Sequence, residues 1–354
     1  MKTRVITVDP ESPELEKIFY CAKIIRQGGL VIFPTETVYG IAANAQNHQA
    51  MERLREVKKR SEQKPFSILI AQRSQILEMT SCRNPTLYKL IDKFWPGPLT
   101  VVVPAKNENK TLGIRMPDHL VALSLVQESG CVIAAPSANL EGNPPPCTCQ
   151  EALKDLDGLV DAALDSGPAR IGVGSSVVDF TQAVPRVIRE GVITQNDVDQ
   201  MTKQKTILFV CTGNSCRSVM AEYLFKKMLG PRPDVEVLSA GTGVFLRSAA
   251  SHETIEVLKK EGINASGHQS QGLSGVLLKK ADLILVMTMN HRYQILEKFP
   301  EIEKRVYLLR EFARIPRGSE VDMDVPDPIG KSAQVYEECL LTIKEAIQGI
   351  VKLI

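Results

Sequence analysis

The chain is 354 residues long, carries a formal net charge of +2, and is 44% hydrophobic and 24% charged. That length exceeds one typical domain core and predicts two domains, while the composition excludes a disordered chain and any collagen-like or mucin-like repeat. Neither half is globally basic, which excludes a protein whose main task is to coat nucleic acid and directs attention to small, local anion sites.

The first residues, Met1 to Val5, lead into alternating strand-like sequence without an apolar leader. No stretch approaches the roughly 18 uninterrupted apolar residues of a membrane span. The expectation is a cytoplasmic protein with no membrane partner. Eight cysteines over this length do not form a secreted disulfide framework and read as core thiols or catalysts. Cys147 and Cys149 stand beside a proline run without a matching Cys or His pair, so no metal site built from protein side chains is expected.

Short β-branched runs at residues 30–33, 100–103, 131–135 and 176–180 predict strands, and helical spacing recurs around residues 50–57 and 150–156. This part is a mixed α/β unit. After the first strand comes the polar turn Pro34-Thr35-Glu36-Thr37. The next helix leads into Lys58, Arg60 and Lys64, and then directly into an apolar strand at residues 67–70. A charge run is usually a solvated face, but cations held on a turn next to a strand also suit a polyphosphate. On the residues alone both readings stand.

These segments, with Phe94-Trp95-Pro96-Gly97-Pro98-Leu99-Thr100, Gly113-Ile114-Arg115-Met116-Pro117, Pro136-Ser137-Ala138-Asn139, Ser175-Ser176-Val177-Val178-Asp179 and Arg189-Glu190-Gly191, resemble the YrdC/Sua5 family of threonylcarbamoyl-AMP synthases over residues 15–195. The resemblance implies a large twisted α/β sheet with a basic cavity on one face. It also implies ATP, L-threonine and bicarbonate as substrates, Mg²⁺ with the ATP, and a product passed to the tRNA t6A transferase machinery. By the same resemblance Thr35 contacts threonine, and Lys58, Arg60 and Lys64 meet phosphates or carboxylate. Arg115, Ser137, Asn139, Ser176 and Arg189 line the nucleotide and carbamate pocket. Two other readings compete: a non-catalytic RNA- or nucleotide-binding domain, and the carbamoyl-transfer branch of hydrogenase maturation. The intact Lys58, Arg60, Ser137 and Asn139 set argues against the first, and the absence of zinc-finger Cys pairs against the second.

Polar residues 196–205 carry almost no apolar periodicity and mark a linker between a domain at 1–195 and a second at 206–354. Strand and helix patterns then alternate to the end of the chain. That order predicts a doubly wound parallel sheet with its site at the carboxyl ends of the strands.

Directly after the first of these strands comes Cys211-Thr212-Gly213-Asn214-Ser215-Cys216-Arg217-Ser218, opening a helix. A loop between a strand end and a helix N-terminus aims successive N–H groups at one point, and the helix dipole adds positive charge there. A phosphate dianion is met without many side chains. The same field favours the thiolate, which is the nucleophilic form of Cys211. Arg217 offers a planar donor pair to two phosphoryl oxygens. Gly213 and Asn214 tolerate left-handed backbone.

With Ser239-Ala240-Gly241, the run from Ala281 to Thr288, and Pro326-Asp327-Pro328, this half resembles the low-molecular-weight protein tyrosine phosphatases, which use no cofactor. The resemblance implies that Asp327 protonates the leaving group and then activates water, and that Ser218 holds the thiolate. Members acting on phosphotyrosine usually carry a bulky aliphatic residue at Ser215 and aromatics at Ile329-Gly330. Members similar to bacterial protein-arginine phosphatases place a small hydroxylated residue at Ser215. Phosphoarginine on a protein is thus favoured over phosphotyrosine. A thiol-linked arsenate reductase would need resolving cysteines downstream, where only Cys339 remains. Cys216 suits a reversible disulfide and a loop-packing thiol equally.

Overall fold

The computed structural model describes residues 2–59, 65–106, 110–313 and 322–353. It divides into two compact units, Met1–Met201 and Thr202–Ile354.

In chain order the strands of the first unit are β1 (Arg4–Thr7), β2 (Val31–Phe33), β3 (Gly40–Asn44), β4 (Ser67–Leu69), β5 (Leu99–Pro104), β6 (Thr111–Arg115), β7 (Ile133–Ala134), β8 (Ala162–Asp165), β9 (Ser176–Asp179) and β10 (Arg186–Arg189). They form one mixed sheet in the order β1-β8-β2-β3-β7-β4-β6-β5-β9-β10. Strand pleating sends alternate residues to opposite faces. Ile32, Ile41 and Ala163 accordingly pack beneath helices His48–Lys58 and Cys149–Leu156. Val31, Phe33 and Leu164 pack on the other face, beneath helices Leu15–Arg26 and Leu120–Ser129. Fully burying each such aliphatic side chain stabilises the unit by about 1.5–3 kcal/mol.

The helix after β3 begins at Asn47, whose side chain accepts from Ala50 N, and the one before β8 at Thr148, which accepts from Glu151 N. Both are ordinary N-caps. The segment expected to be a linker contains helix Gln195–Lys203 instead. Thr194 and Asp197 cap it reciprocally, with Thr194 N and Oγ1 donating to Asp197 Oδ2 at 2.9 and 2.8 Å. Val198 is its one buried residue, so apolar periodicity gave no signal.

The second unit carries β11 (Lys205–Cys211), β12 (Val235–Gly241), β13 (Leu283–Val286) and β14 (Val306–Leu308). All pair in parallel, in the order β12-β11-β13-β14. Phe209 and Leu285 pack under helices Arg217–Leu229 and Ala333–Val351, while Leu208, Val210 and Val286 face residues of helices Gly275–Lys280 and Met289–Lys298. The sheet is therefore covered on both faces, as the alternating pattern required. Strand order reverses beside β11, the switch point where such sheets place ligands. Cys211 is the last residue of that strand.

Candidate active sites

In the first unit a cavity of about 440 Å³ lies against the sheet. Its floor is one pleat face: Leu69, Arg115, Thr100 and Val177 stand in one cross-strand row, and Ser67, Gly113 and Val102 in the next. Gly113 matters by what it lacks, since a Cβ there would come within 3.2 Å of Ser67 Oγ. The register of β10 shifts between Val187 and Arg189, which brings Arg189 opposite Val177 and into the cavity wall.

Of the residues expected from sequence, Thr35, Arg115, Ser137 and Arg189 line this cavity. Ser176 does not: it opens β9, and its side chain turns to the face opposite the one that Val177 presents to the cavity. Its Oγ donates to Ile193 O at 2.8 Å and accepts from Gly191 N and Ile193 N. Ser175 takes its place, with Oγ 2.8 Å from Thr100 Oγ1 and accepting from Arg189 at 2.9 Å. Lys58 and Asn139 also stand behind the wall. Lys58 is buried, and its Nζ donates to Ser137 O at 2.8 Å, to Asn139 Oδ1 at 3.1 Å, and to Asn139 O. Asn139 Oδ1 accepts from Ser137 Oγ at 2.5 Å. The lysine thus fixes the 137–139 loop that presents Ser137. Arg60 and Lys64 lie outside the described residues.

Arg115 is held from three sides. It donates to Glu36 Oε1 at 2.8 Å, to Thr37 Oγ1 at 2.7 Å and to Gly97 O at 3.3 Å. Thr35 Oγ1 donates to Val38 O at 2.6 Å and accepts from Thr37 N and Val38 N. The turn after β2 is rigid for that reason.

In the second unit the loop from Cys211 wraps around its own sulfur. Asn214 N donates to Cys211 Sγ at 3.3 Å, and Ser218 Oγ lies 3.0 Å from it. Asn214 sits at φ 50°, the left-handed conformation anticipated for this position. Its side chain fixes the turn by donating to Ser218 Oγ at 3.0 Å and Ser239 Oγ at 2.7 Å, and by accepting from Gln271 N at 2.8 Å. Only glycine fits behind the loop at Gly241, where a Cβ would meet Thr212 O at 2.5 Å and Asn214 N at 2.9 Å. Arg217 donates to Val325 O at 3.2 Å and forms an ion pair with Asp327 at 2.5 Å. The structure thus unites Cys211, Arg217, Ser218 and Asp327. Ser215 and Gly213 are half-buried, and Thr212 is exposed on the rim. Cys216 Sγ lies 3.4–3.5 Å from Ser251 Oγ and Tyr336 Oη. Burial pushes the Cys339 thiol up to about 12.

Two histidines escaped the sequence reading. His291 Nε2 is 3.0 Å from Thr212 Oγ1 and Nδ1 is 2.8 Å from Thr288 Oγ1, while His268 Nε2 meets Asn214 O at 2.9 Å. Burial, and then the nearby Arg217 charge, hold His291 down at about 4, so it is neutral at pH 7. Thr288 capping the helix that carries His291 was the one local signal.

Comparison with known proteins agrees with this division. Residues 23–191 match the Sua5/YciO/YrdC family model, described as "Telomere recombination", and residues 206–354 match the model "Low molecular weight phosphotyrosine protein phosphatase". The chain is 39% identical over 211 residues to a threonylcarbamoyl-AMP synthase of Bacillus subtilis, covering 56% of this chain and 61% of that protein. It thus spans about three fifths of that relative's length. To the threonylcarbamoyl-AMP synthase of Pyrococcus abyssi it is 36% identical over 256 residues, covering 70% of this chain and 74% of that one. A probable low molecular weight protein-tyrosine-phosphatase of Ralstonia nicotianae is 37% identical over 145 residues, 41% of this chain and 92% of that protein. The chain belongs to two families at once, the Sua5/YrdC-type threonylcarbamoyl-AMP synthases through its first part and the low-molecular-weight phosphotyrosine protein phosphatases through its second.

Proposed function

We propose that the first unit makes L-threonylcarbamoyladenylate and pyrophosphate from L-threonine, bicarbonate and ATP, and that the second hydrolyses phosphoprotein through a phosphocysteine. The observation that carries the phosphatase reading is Cys211 Sγ held by Asn214 N and Ser218 Oγ, at the start of the helix that opens with the buried Arg217. Sγ attacks phosphorus as the bond to the leaving nitrogen or oxygen breaks, and Asp327 supplies the leaving group's proton. Asp327 then takes a proton from water, which attacks phosphorus and breaks the S–P bond, releasing phosphate and the thiolate. Arg217 offsets the phosphoryl charge in both steps. Small Ser215 and exposed, aliphatic Ile329 offer no wall on which a phenyl ring stacks. This supports phosphoarginine as the substrate group.

The synthase reading is supported by the four expected residues that share one cavity and by two relatives bearing that name. Arg115 and Arg189 supply two cations to the cavity wall that suit anionic phosphates or carboxylate, and the Ser175 hydroxyl holds Arg189 in place. Among the described residues the cavity wall contains no Asp or Glu, so it fits Mg²⁺ only as an ion carried on the ATP phosphates. There it would offset charge on the departing pyrophosphate. The adenylate is a reactive mixed anhydride, which suits direct delivery to the tRNA t6A transferase machinery.

One assay panel tests both proposals. Wild type should release pyrophosphate only when threonine, bicarbonate and ATP are all present, and should dephosphorylate phosphoarginine in preference to phosphotyrosine. Cys211→Ser should lose only the second activity and Lys58→Ala should be impaired only in the first. Nucleotide binding without pyrophosphate release would leave the first unit a binding module, and a preference for phosphotyrosine would remove the substrate assignment.

A further inference from the structure

Thr212 follows the nucleophile, and the peptide groups on either side of it carry the first two N–H groups of the loop around Cys211. Among the described residues neither Thr212 N nor Gly213 N donates to a protein acceptor, which leaves both for a phosphoryl oxygen. Their direction depends on how Thr212 is held. Gly243 N donates to the Thr212 carbonyl at 2.9 Å, and the Thr212 methyl group faces the same glycine. The Thr212 hydroxyl has a different anchor, His291 Nε2 at 3.0 Å. The Asn214 side chain, which fixes the turn, acts two residues further along.

The ring that meets Thr212 is itself fixed. His291 is 3% exposed and lies in the first turn of helix Met289–Lys298. Thr288 caps that helix: its Oγ1 accepts from His291 N at 3.3 Å and lies 2.8 Å from Nδ1. A hydroxyl has one hydrogen, and giving it to Nδ1 makes that nitrogen the acceptor and places the ring proton on Nε2. With the proton on Nδ1 instead, the Thr288 hydrogen would have no protein acceptor among the described residues. Burial, and then the Arg217 charge, keep the ring neutral at pH 7, so one nitrogen accepts from Thr288 while the other donates to Thr212.

We propose that, within the phosphatase reading on which this role rests, His291 is a positioning residue: Nε2–H donates to Thr212 Oγ1 and so holds the first two N–H groups of the loop towards the phosphoryl group. The test uses the full chain with p-nitrophenyl phosphate as substrate and inorganic phosphate as competitive inhibitor. Thr212→Val keeps the shape of an exposed rim residue and removes only the hydroxyl. It should weaken phosphate about tenfold, as should His291→Leu. The double variant should be no worse than either alone, because both changes remove the same bond. His291→Gln, whose amide can donate from a similar reach, should recover most of the affinity. In wild type with ring-labelled histidine, the resonance that His291→Gln removes should report a proton on Nε2. Undiminished phosphate affinity in Thr212→Val, additive losses in the double variant, or a proton on Nδ1 would overturn this role and leave the phosphatase reading intact. Wild type that neither hydrolyses the ester nor binds phosphate would overturn both.

Discussion

Arg115 and Arg217 are both buried, and each meets a carboxylate, but the two carboxylates differ in exposure. The Glu36 side chain is 1% exposed, whereas that of Asp327 is 44% exposed. Glu36 sits in a turn pinned by the Thr35 hydroxyl. Asp327 stands between two prolines on a loop open to water. The first pair is a fixed part of a cavity wall. In the second, the carboxylate rests on Arg217 from a water-exposed loop, and the proposed mechanism needs it to leave the arginine for the leaving group. The same two functional groups thus give a buried scaffold in one unit and, on the proposed mechanism, a working part in the other.

The largest effect should come from Cys211→Ser, which removes the nucleophile and should lower dephosphorylation by roughly 10⁴-fold or more, with adenylate formation unchanged. Asp327→Asn should follow. It should slow turnover of a poor leaving group by about 10²–10⁴-fold and of a good one far less, since only the former needs the proton. It should also tighten inorganic phosphate, because Arg217 loses a competing charge. Weaker phosphate binding in this variant would mean that the pair is as fixed as the other one.

The stability consequences should invert. Glu36→Ala leaves Arg115 buried without its counter-charge and should cost about 3–5 kcal/mol in chemical denaturation of the first unit. Asp327→Ala also leaves a buried arginine, but its partner was 44% exposed, so water can enter where the carboxylate stood and the cost should be smaller, about 1–3 kcal/mol in the second. Equal losses would erase the distinction.

His291 yields a pH test. Its native value of about 4 lies below the ordinary 6.5, so the unfolded chain binds the proton more readily. The stability present above pH 6.5 should fall as pH drops towards 4, by up to about 3 kcal/mol, and level off below. In His291→Gln this component should vanish from urea melts taken between pH 7 and 4. At Lys58→Ala, lost donors to the Ser137 and Asn139 loop should cost about 1–3 kcal/mol. Adenylate formation should fall because Ser137 is no longer held.

The second site was legible because it is local. Eight consecutive residues make the loop around the Cys211 sulfur, and a strand before it and a helix after it set their direction. The first site is assembled from a turn after β2, the faces of four strands and a loop at 137–139, and only resemblance to a family brought those residues together. Even then pleat parity, which separates Ser175 from Ser176, was not resolved by the motif. Contacts across long sequence separations left no trace in the chain. Arg115 with Glu36 and His291 with Thr212 are each joined across some eighty residues by packing alone. Helix Gln195–Lys203 was hidden for a different reason, since its cap carries the signal and its apolar face is a single valine.

The most direct test is to look for the phosphoryl group on the enzyme. In Asp327→Ala with p-nitrophenyl phosphate, the leaving group needs no proton but hydrolysis lacks its base, so a rapid-quench experiment should find a nitrophenol burst and a phosphoryl group on the peptide carrying Cys211. Phosphate released without any enzyme-bound phosphoryl, or a phosphoryl group on another residue, would contradict the account.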